Sequence, residues 1–312
     1  MAAPRRRPED WLAQRGVLQA LLVPPSLLMA LVARARAALY DRRLIGAFEA
    51  DVPVVSLGNL TAGGTGKTPA AVLIVEALRA RGHRPGLLSR GYGARDGAPN
   101  DEAVELARLL PGVDHVQEPD RVAGARRLAD RGATVVVLDD GFQHRRLARD
   151  LDLVLVDATR PLGLAAPGPS APPVEALLPR GLLREPPSAL ARAHAVLLTR
   201  TDQVDASSLE RLEERVAGWA PGVPVLRTRH APARLDTPEG PRGLETLAGL
   251  PVRLVSGIGN PAAFEATVRE LGAEVVEHRV HPDHHDFCAS DLPPREGPPV
   301  LGSTMRVKIV SI

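Results

Sequence analysis

Aromatic residues are scarce in this chain: four Phe, two Tyr and two Trp among 312 residues, 3% in all. Leu, Val and Ala must therefore fill the core. Cysteine is almost missing. The single Cys288 excludes an intrachain disulfide and suits a reducing compartment. Net charge is only +2, which offers no basic excess for a nucleic-acid partner. No uninterrupted apolar run reaches the roughly 20 residues of a spanning helix. The longest, residues 17–33, is broken by Pro24 and Pro25. A signal-peptide cleavage site is also lacking, because Arg34 and Arg36 occupy its place.

What is present has the balance of a soluble globular protein, with 44% apolar and 24% charged residues. The length suits one large or two modest domains. Residues 1–50 hold eight arginines (5, 6, 7, 15, 34, 36, 42, 43) against four acids (9, 10, 41, 49). An apolar run with basic flanks, bounded by Trp11 and Tyr40, fits a helix lying in a membrane interface. A buried N-terminal helix, or a helical hairpin broken at Pro24-Pro25, is the alternative.

The most informative stretch is Thr61-Ala62-Gly63-Gly64-Thr65-Gly66-Lys67-Thr68. It follows the apolar run 52–57 and leads into a helical pattern from Ala70. A strand, a glycine-rich turn and a helix in that order aim backbone N–H groups and a helix N-terminus at bound phosphate. Lys67 would neutralise phosphate charge, and the Thr68 hydroxyl is placed for Mg²⁺. Thr61 stands where the general pattern has its first glycine. A ligand-free turn between strand and helix is the competing reading.

Strands and helices then alternate. Residues 84–89 read as a strand, 102–110 and 121–131 as helices, and 134–138, 151–157 and 195–199 as strands. This predicts an α/β fold of the phosphate-loop NTPase type, with a doubly wound, mostly parallel sheet. A second unit begins near residue 220, with strands at 223–227 and 252–256 and a helix at 261–271. The expected division is an N-terminal membrane-associating segment 1–45, a phosphate-loop core 46–218 and a smaller α/β subdomain 219–312. The proline-rich tail from Leu292 reads poorly as structure.

The apolar strand 134–138 ends in Asp139-Asp140. A carboxylate at a strand end, paired with a glycine loop, is the second half of a nucleotide site, and Asp139 can hold Mg²⁺. Asp140 could serve a proton or a ligating side chain, or merely cap the next turn. His281, Asp283, His284, His285 and Asp286 could suggest a transition-metal site. They come from one segment, however, and lack the spacing of structural zinc ligands.

Several strings together resemble one family. They are Gly58-Asn59 with the glycine loop and Pro69, Ser89-Arg90-Gly91-Tyr92-Gly93, Asp139-Asp140-Gly141-Phe142-Gln143-His144, the stretch Leu178 to Glu185, and Gly257-Ile258-Gly259-Asn260-Pro261. In this order, from about residue 15 to 290, they are similar to the tetraacyldisaccharide 4'-kinases, in which a threonine at position 61 is normal. The resemblance implies transfer of the ATP γ-phosphoryl group to the 4'-hydroxyl of a tetraacyldisaccharide 1-phosphate, giving lipid IVA. It implies ATP and Mg²⁺ as cofactors and an acylated disaccharide lipid as substrate. It places the enzyme at the cytoplasmic face of the inner membrane of a Gram-negative bacterium, reached through the N-terminal helix. No nucleic acid and no obligate protein partner are implied.

The same resemblance assigns roles. Asp101 receives the hydroxyl proton and His284 pairs with it. Lys67, Asp140 and Arg121 complete the catalytic set. Residues 61–68 and His144 bind the nucleotide; Thr68, Asp139 and Glu185 hold the metal; Asn59, Arg90, Tyr92 and Arg184 meet the substrate. Read without the family, Asp101 is the kind of acid that opens a helix. Arginines around a transferring phosphoryl group stabilise charge spreading over its oxygens. The match departs at the end: residues 299–312 lack the acid-Lys-Asp triplet the family carries there, and the tail reads as truncated. Two other classes share the loop: a membrane-binding ATPase switch of the partitioning type, and a soluble phosphate-loop kinase for a small metabolite. The first would carry a lysine where this chain has Ala62.

Overall fold

A computed structural model describes residues 8–14, 16–91, 101–164, 174–237, 239–258, 261–281, 285, 287–288, 291–292, 297–302 and 306–311. In chain order the elements are α1 (Pro8–Ala13), α2 (Val17–Ala20), α3 (Val23–Asp41), β1 (Val54–Asn59), α4 (Lys67–Ala80), β2 (Pro85–Ser89), α5 (Asp101–Leu109), β3 (His115–Gln117), α6 (Arg121–Asp130), β4 (Val135–Asp139), β5 (Leu151–Asp157), β6 (Ala195–Thr199), α7 (Ala206–Trp219), β7 (Val225–Thr237), β8 (Gly240–Arg242), β9 (Pro251–Ser256), α8 (Pro261–Glu270), β10 (Glu274–Val280), β11 (Val300–Gly302) and β12 (Arg306–Ser311). They divide into two compact units, Met1–Arg229 with Ser311–Ile312, and His230–Val310.

The first unit is built on a parallel sheet ordered β3-β2-β4-β1-β5-β6-β7. Every residue of β1, β2 and β4 is buried, as continuous apolar strands covered on both faces must be. Helix α6 places Val122, Ala125 and Leu128 against Leu88, Val136 and Leu138. Helix α7 places Leu209, Leu212 and Val216 in a second cluster with Val154, Val156, Val196 and Leu198. Each fully buried Leu or Val in these clusters contributes about 1.5–3 kcal/mol. Asp120 caps α6 by accepting from Val122 N at 3.0 Å, and Asp205 caps α7 by accepting from Ser208 N at 2.8 Å.

Pro24 and Pro25 do not break a hairpin. They fall in the first turn of α3, where their missing N–H groups go unneeded and their fixed φ suits helix entry. The interruption lies before them, at Leu21-Leu22. Small residues let α3 dock: Ser26 and Ala30 are buried, and Ser26 Oγ donates to Leu177 O at 2.7 Å. The other side presents Leu27, Leu28 and Leu31, each more than 60% exposed. By length and composition Val17–Asp41 could cross a membrane, yet one of its sides is packed on protein.

In the second unit a parallel sheet ordered β10-β9-β11 packs with α8 around Val252, Leu254, Phe264, Val268 and Leu301. The tail, unpromising in sequence, supplies β11, whose Leu301 is buried and sits in register with Leu254 of β9. The far half of β7 turns back on β8, with Leu235 opposite Arg242.

Candidate active site

The carboxyl ends of four neighbouring strands gather buried polar side chains. Asn59 of β1, Asp139 of β4, Asp157 of β5 and Thr199 of β6 are all at most 6% exposed. In parallel α/β sheets this edge, outside the strand ends where the order reverses, is where ligands bind. Strand β1 lies at the centre, between β4 and β5, and its carboxyl end opens into the glycine loop.

The loop takes conformations that only its sequence allows. Gly63 and Gly66 sit at φ 119° and 89°, and a side chain built on Gly63 or Gly64 would meet nothing within 4 Å. The loop is thus open on that side. Helix α4 starts at Lys67 with no side-chain cap on its first N–H groups. Those uncapped donors, the open glycines, Lys67 and the Thr68 hydroxyl are a donor set suited to phosphate and Mg²⁺. The loop is braced from below: Asn59 Nδ2 donates to Thr65 Oγ1 at 3.1 Å, and Thr199 Oγ1 to Thr65 O at 3.0 Å.

A strap runs beside the loop. Ala62 N donates to Leu182 O, and Arg184 N to Leu60 O, each at 2.7 Å. This antiparallel contact carries Arg184 to Asp140, where one guanidinium nitrogen donates to both carboxylate oxygens, at 2.8 and 2.7 Å. Lys67 Nζ lies 3.6 Å from the same carboxylate. Burial alone would raise the Asp140 pKa, but Lys67 and Arg184 together hold it below the ordinary carboxylate range. Asp140 also adopts φ 53°, rare for a residue with a Cβ, which turns the chain sharply off β4. Next to it Gly141 N donates to Leu57 O at 3.0 Å, and there is no room for a side chain: a Cβ would fall 2.5 Å from Ser56 Oγ.

Arg121 is 3% exposed at the start of α6, with Nη1 on Glu118 O at 2.7 Å and a buried Nε that has no hydrogen-bond partner among the described residues. Burial first, then repulsion from Arg90, lower its pKa, while Asp140 and Asp139 pull the other way. A buried guanidinium that feels both strand-end acids can present a fixed positive charge to an anion. His144 is pushed down to about 4, chiefly by burial and then by Arg121, Arg36 and Arg149, so its imidazole is neutral. Its buried Nδ1 also has no hydrogen-bond partner among the described residues.

Other sequence-derived candidates fall less centrally. Asp101 is the first residue of α5, and Arg90 is exposed just past β2. Tyr92 and His284 lie outside the described residues. The Glu185 carboxylate, assigned to the metal, accepts from Arg192 Nη2 at 2.8 Å. Arg192 in turn lies over the Phe142 ring, 4.6 Å from its centre.

Several contributors escaped the sequence reading. Gln143 Nε2 donates to Asn59 O at 2.9 Å, while its own carbonyl accepts from Arg36 Nη2 of α3 at 2.9 Å. Arg145 reaches back to Ala37 O at 3.1 Å and pairs with Asp41 at 2.7 Å. Arg200 holds Gly64 O at 3.3 Å and pairs with Asp157. The one available signal was position: Asp157, Thr199 and Arg200 end or follow apolar strands, as Asp139 and Asp140 do.

A phosphate loop at the end of a central parallel strand, with an acid from the neighbouring strand on its lysine, defines a phosphate-loop nucleotide-handling protein. Residues 18–298 match the tetraacyldisaccharide-1-P 4'-kinase family. The tetraacyldisaccharide 4'-kinase of Anaeromyxobacter dehalogenans (strain 2CP-C) is 45% identical, over 90% of this chain and 78% of its own. That of Syntrophus aciditrophicus (strain SB) is 40% identical, over 81% and 72%. A crystal structure of LpxK from Aquifex aeolicus in complex with ATP superimposes with a TM-score of 0.74 at 28% identity, covering 95% of this chain and 96% of that one. The chain belongs to the tetraacyldisaccharide-1-P 4'-kinase family.

Proposed function

We propose that the chain transfers the γ-phosphoryl group of ATP to the 4'-hydroxyl of a tetraacyldisaccharide 1-phosphate, forming lipid IVA. The observation that carries this reading is the Lys67–Asp140 pair at 3.6 Å, set at the mouth of an uncapped phosphate loop in a member of this family. Bound Mg²⁺ would neutralise negative charge developing on the transferring phosphoryl group. Thr68, Asp139 and Glu185 are the residues that would hold it; the Glu185 carboxylate otherwise accepts from Arg192.

Residues 61–68 and His144 hold the nucleotide. Lys67 and Arg121 place positive charge where the transferring group gains negative charge, which favours the transition state over the bound substrate. Asp140, fixed by Arg184, keeps Lys67 in place. A sugar hydroxyl is a weak nucleophile, so Asp101 takes its proton as attack develops. Arg90, Tyr92 and Arg184 meet the lipid, and arginine forks suit its 1-phosphate, whereas Asn59, wholly buried beneath Thr65, serves by bracing the phosphate loop instead. Transfer is direct, with no phosphoenzyme.

In this reading residues 1–45 bring the enzyme to its acylated substrate, 46–218 form the kinase core and 219–312 a smaller subdomain. The exposed Leu27, Leu28 and Leu31 support docking on a membrane surface. We place it on the cytoplasmic face of a Gram-negative inner membrane, with no nucleic acid or obligate protein partner.

The test is incubation of the full chain with Mg²⁺-ATP and tetraacyldisaccharide 1-phosphate in mixed micelles, followed by mass spectrometry of the lipid. A product heavier by one phosphate at the 4'-position is expected. Folded protein that yields none overturns the reading, and Asp101→Ala with full turnover overturns the assigned base.

A further inference from the structure

The segment after β10 carries, beside His284, a cluster of side chains to which the proposed function gives no role. His281 is fixed by its backbone N–H, which donates to Ser256 O at 2.7 Å. Its ring stacks on that of His285, centroids 4.4 Å apart and planes 19° from parallel. Phe287 sets its edge against both rings, at 5.4 and 5.1 Å. The close packing depends on Gly257, where a Cβ would lie 3.1 Å from Phe287 and 3.2 Å from His285. Asp291 closes the group, its Oδ2 lying 3.0 Å from His285 Nε2. Ligand atoms of His281, His285 and Asp291 all fall within 4.8 Å of one another.

Hydrogen bonding explains only part of this arrangement. Asp291 Oδ2 also accepts from Cys288 N at 2.8 Å, so the carboxylate ties down its own turn and holds His285. That accounts for Asp291 and His285. It does not account for His281, whose buried Nε2 has no hydrogen-bond partner among the described residues. A buried imidazole nitrogen left without a partner is costly. A cation shared with His285 and Asp291 would satisfy it.

We propose that His281, His285 and Asp291 form a site for a divalent transition-metal ion of the Zn²⁺ class. Two imidazoles and a carboxylate are borderline ligands that suit Zn²⁺ and Co²⁺, whereas Mg²⁺ and Ca²⁺ take oxygen sets. Zinc bonds of about 2.0–2.2 Å put tetrahedral donors roughly 3.5 Å apart, so the donors must draw together on binding. The sequence alone offered Asp283 and Asp286 as the acids; the fold instead brings in Asp291. Cys288 Sγ lies 3.1 Å from Asp291 Oδ2, beside the three ligands but not one of them.

The test uses the full chain, stripped with a chelator and held in excess Mg²⁺ so that the nucleotide site does not compete. Co²⁺ is titrated by visible absorbance and Zn²⁺ by calorimetry. One equivalent should bind, with the d–d bands of low-coordinate Co²⁺, in both the parent and Cys288→Ser. His281→Phe preserves the ring stack while removing the nitrogen; it and Asp291→Asn should each weaken binding at least tenfold with unchanged thermal melts. No stoichiometric binding, binding lost in Cys288→Ser, or full binding by His281→Phe would each overturn the site. Kinase turnover plays no part in the readout, so this proposal and the proposed function fail separately.

Discussion

Arg184 holds both oxygens of Asp140 through a single nitrogen, at 2.8 and 2.7 Å, and so fixes the carboxylate that faces Lys67. The sharp turn at Asp140 and the strap through Leu182 and Arg184 meet at this pair. Asp140→Asn removes the charge that balances two cations, and turnover should fall by about 10²-fold or more. Arg184→Ala should keep the fold but raise the ATP KM, because Lys67 then draws Asp140 out of place. Steady-state kinetics of the two variants checks both; an Asp140→Asn enzyme with parental kcat/KM would refute the role.

His144 gives a pH signature. Its folded pKa of about 4 lies below the unfolded value near 6.5, so the unfolded chain binds the proton more readily. Stability from this group is present above pH 6.5 and lost as pH falls toward 4. The loss is roughly 1–2 kcal/mol after allowing for solvent screening, or a few degrees in Tm. His144→Gln should flatten the Tm-against-pH curve in that window. Parallel curves for parent and variant would exclude the buried neutral imidazole.

Gly58 and Gly141 are spatial requirements. A Cβ on Gly58 would fall 2.4 Å from Phe142 Cβ and 2.8 Å from its backbone nitrogen. Gly58→Ala and Gly141→Ala should each destabilise by about 1–3 kcal/mol, as overpacking does. Gly64→Ala, whose Cβ meets open space, should melt near the parent. Urea unfolding of the three separates crowding from any general effect of replacing glycine.

The loop brace predicts a binding defect. Asn59→Ala deletes the 3.1 Å bond to Thr65 and leaves that buried hydroxyl without its donor. ATP affinity should drop roughly 5–30-fold, equivalent to about 1–2 kcal/mol. Nucleotide titration by fluorescence or calorimetry measures it, and an unchanged Kd would show that the loop is held elsewhere.

The outward side of α3 predicts lipid partitioning. Replacing Leu27, Leu28 and Leu31 together with Ser removes apolar surface worth several kcal/mol of membrane binding. Co-sedimentation with anionic vesicles should fall steeply, while ATP binding stays intact. Equal sedimentation of parent and variant would place the membrane contact on another surface.

Much of this architecture was legible in the chain because buried parallel strands leave continuous apolar runs. Strands at 151–157 and 195–199 fall where the pattern put them. Helix α7 was missed because only Leu209, Leu212 and Val216 of its 14 residues are buried, too thin a stripe among so many charges. Strand β3 spans three residues, below any periodicity. In the site, the glycine loop and Asp139-Asp140 were readable because backbone conformation and strand ends constrain residue type. Gln143, Arg192 and Arg200 were not, because side chains that brace by reaching a distant carbonyl or carboxylate leave no local spacing. The tail misled for a related reason: β11 is held by its partner β9, and its own three residues carry almost no pattern.

The N-terminal segment is fastened to the rest of the protein in part through its own backbone carbonyls. Arg180 grips Leu12 O and Gln14 O, and Arg145 grips Ala37 O. Carbonyl acceptors are the same whatever side chain accompanies them. The outward residues of α3 are therefore free to vary, while buried Ser26 and Ala30, with the Arg36 bond to Gln143 O, keep the seat. Substitutions on the outward side of this helix leave these fastenings untouched.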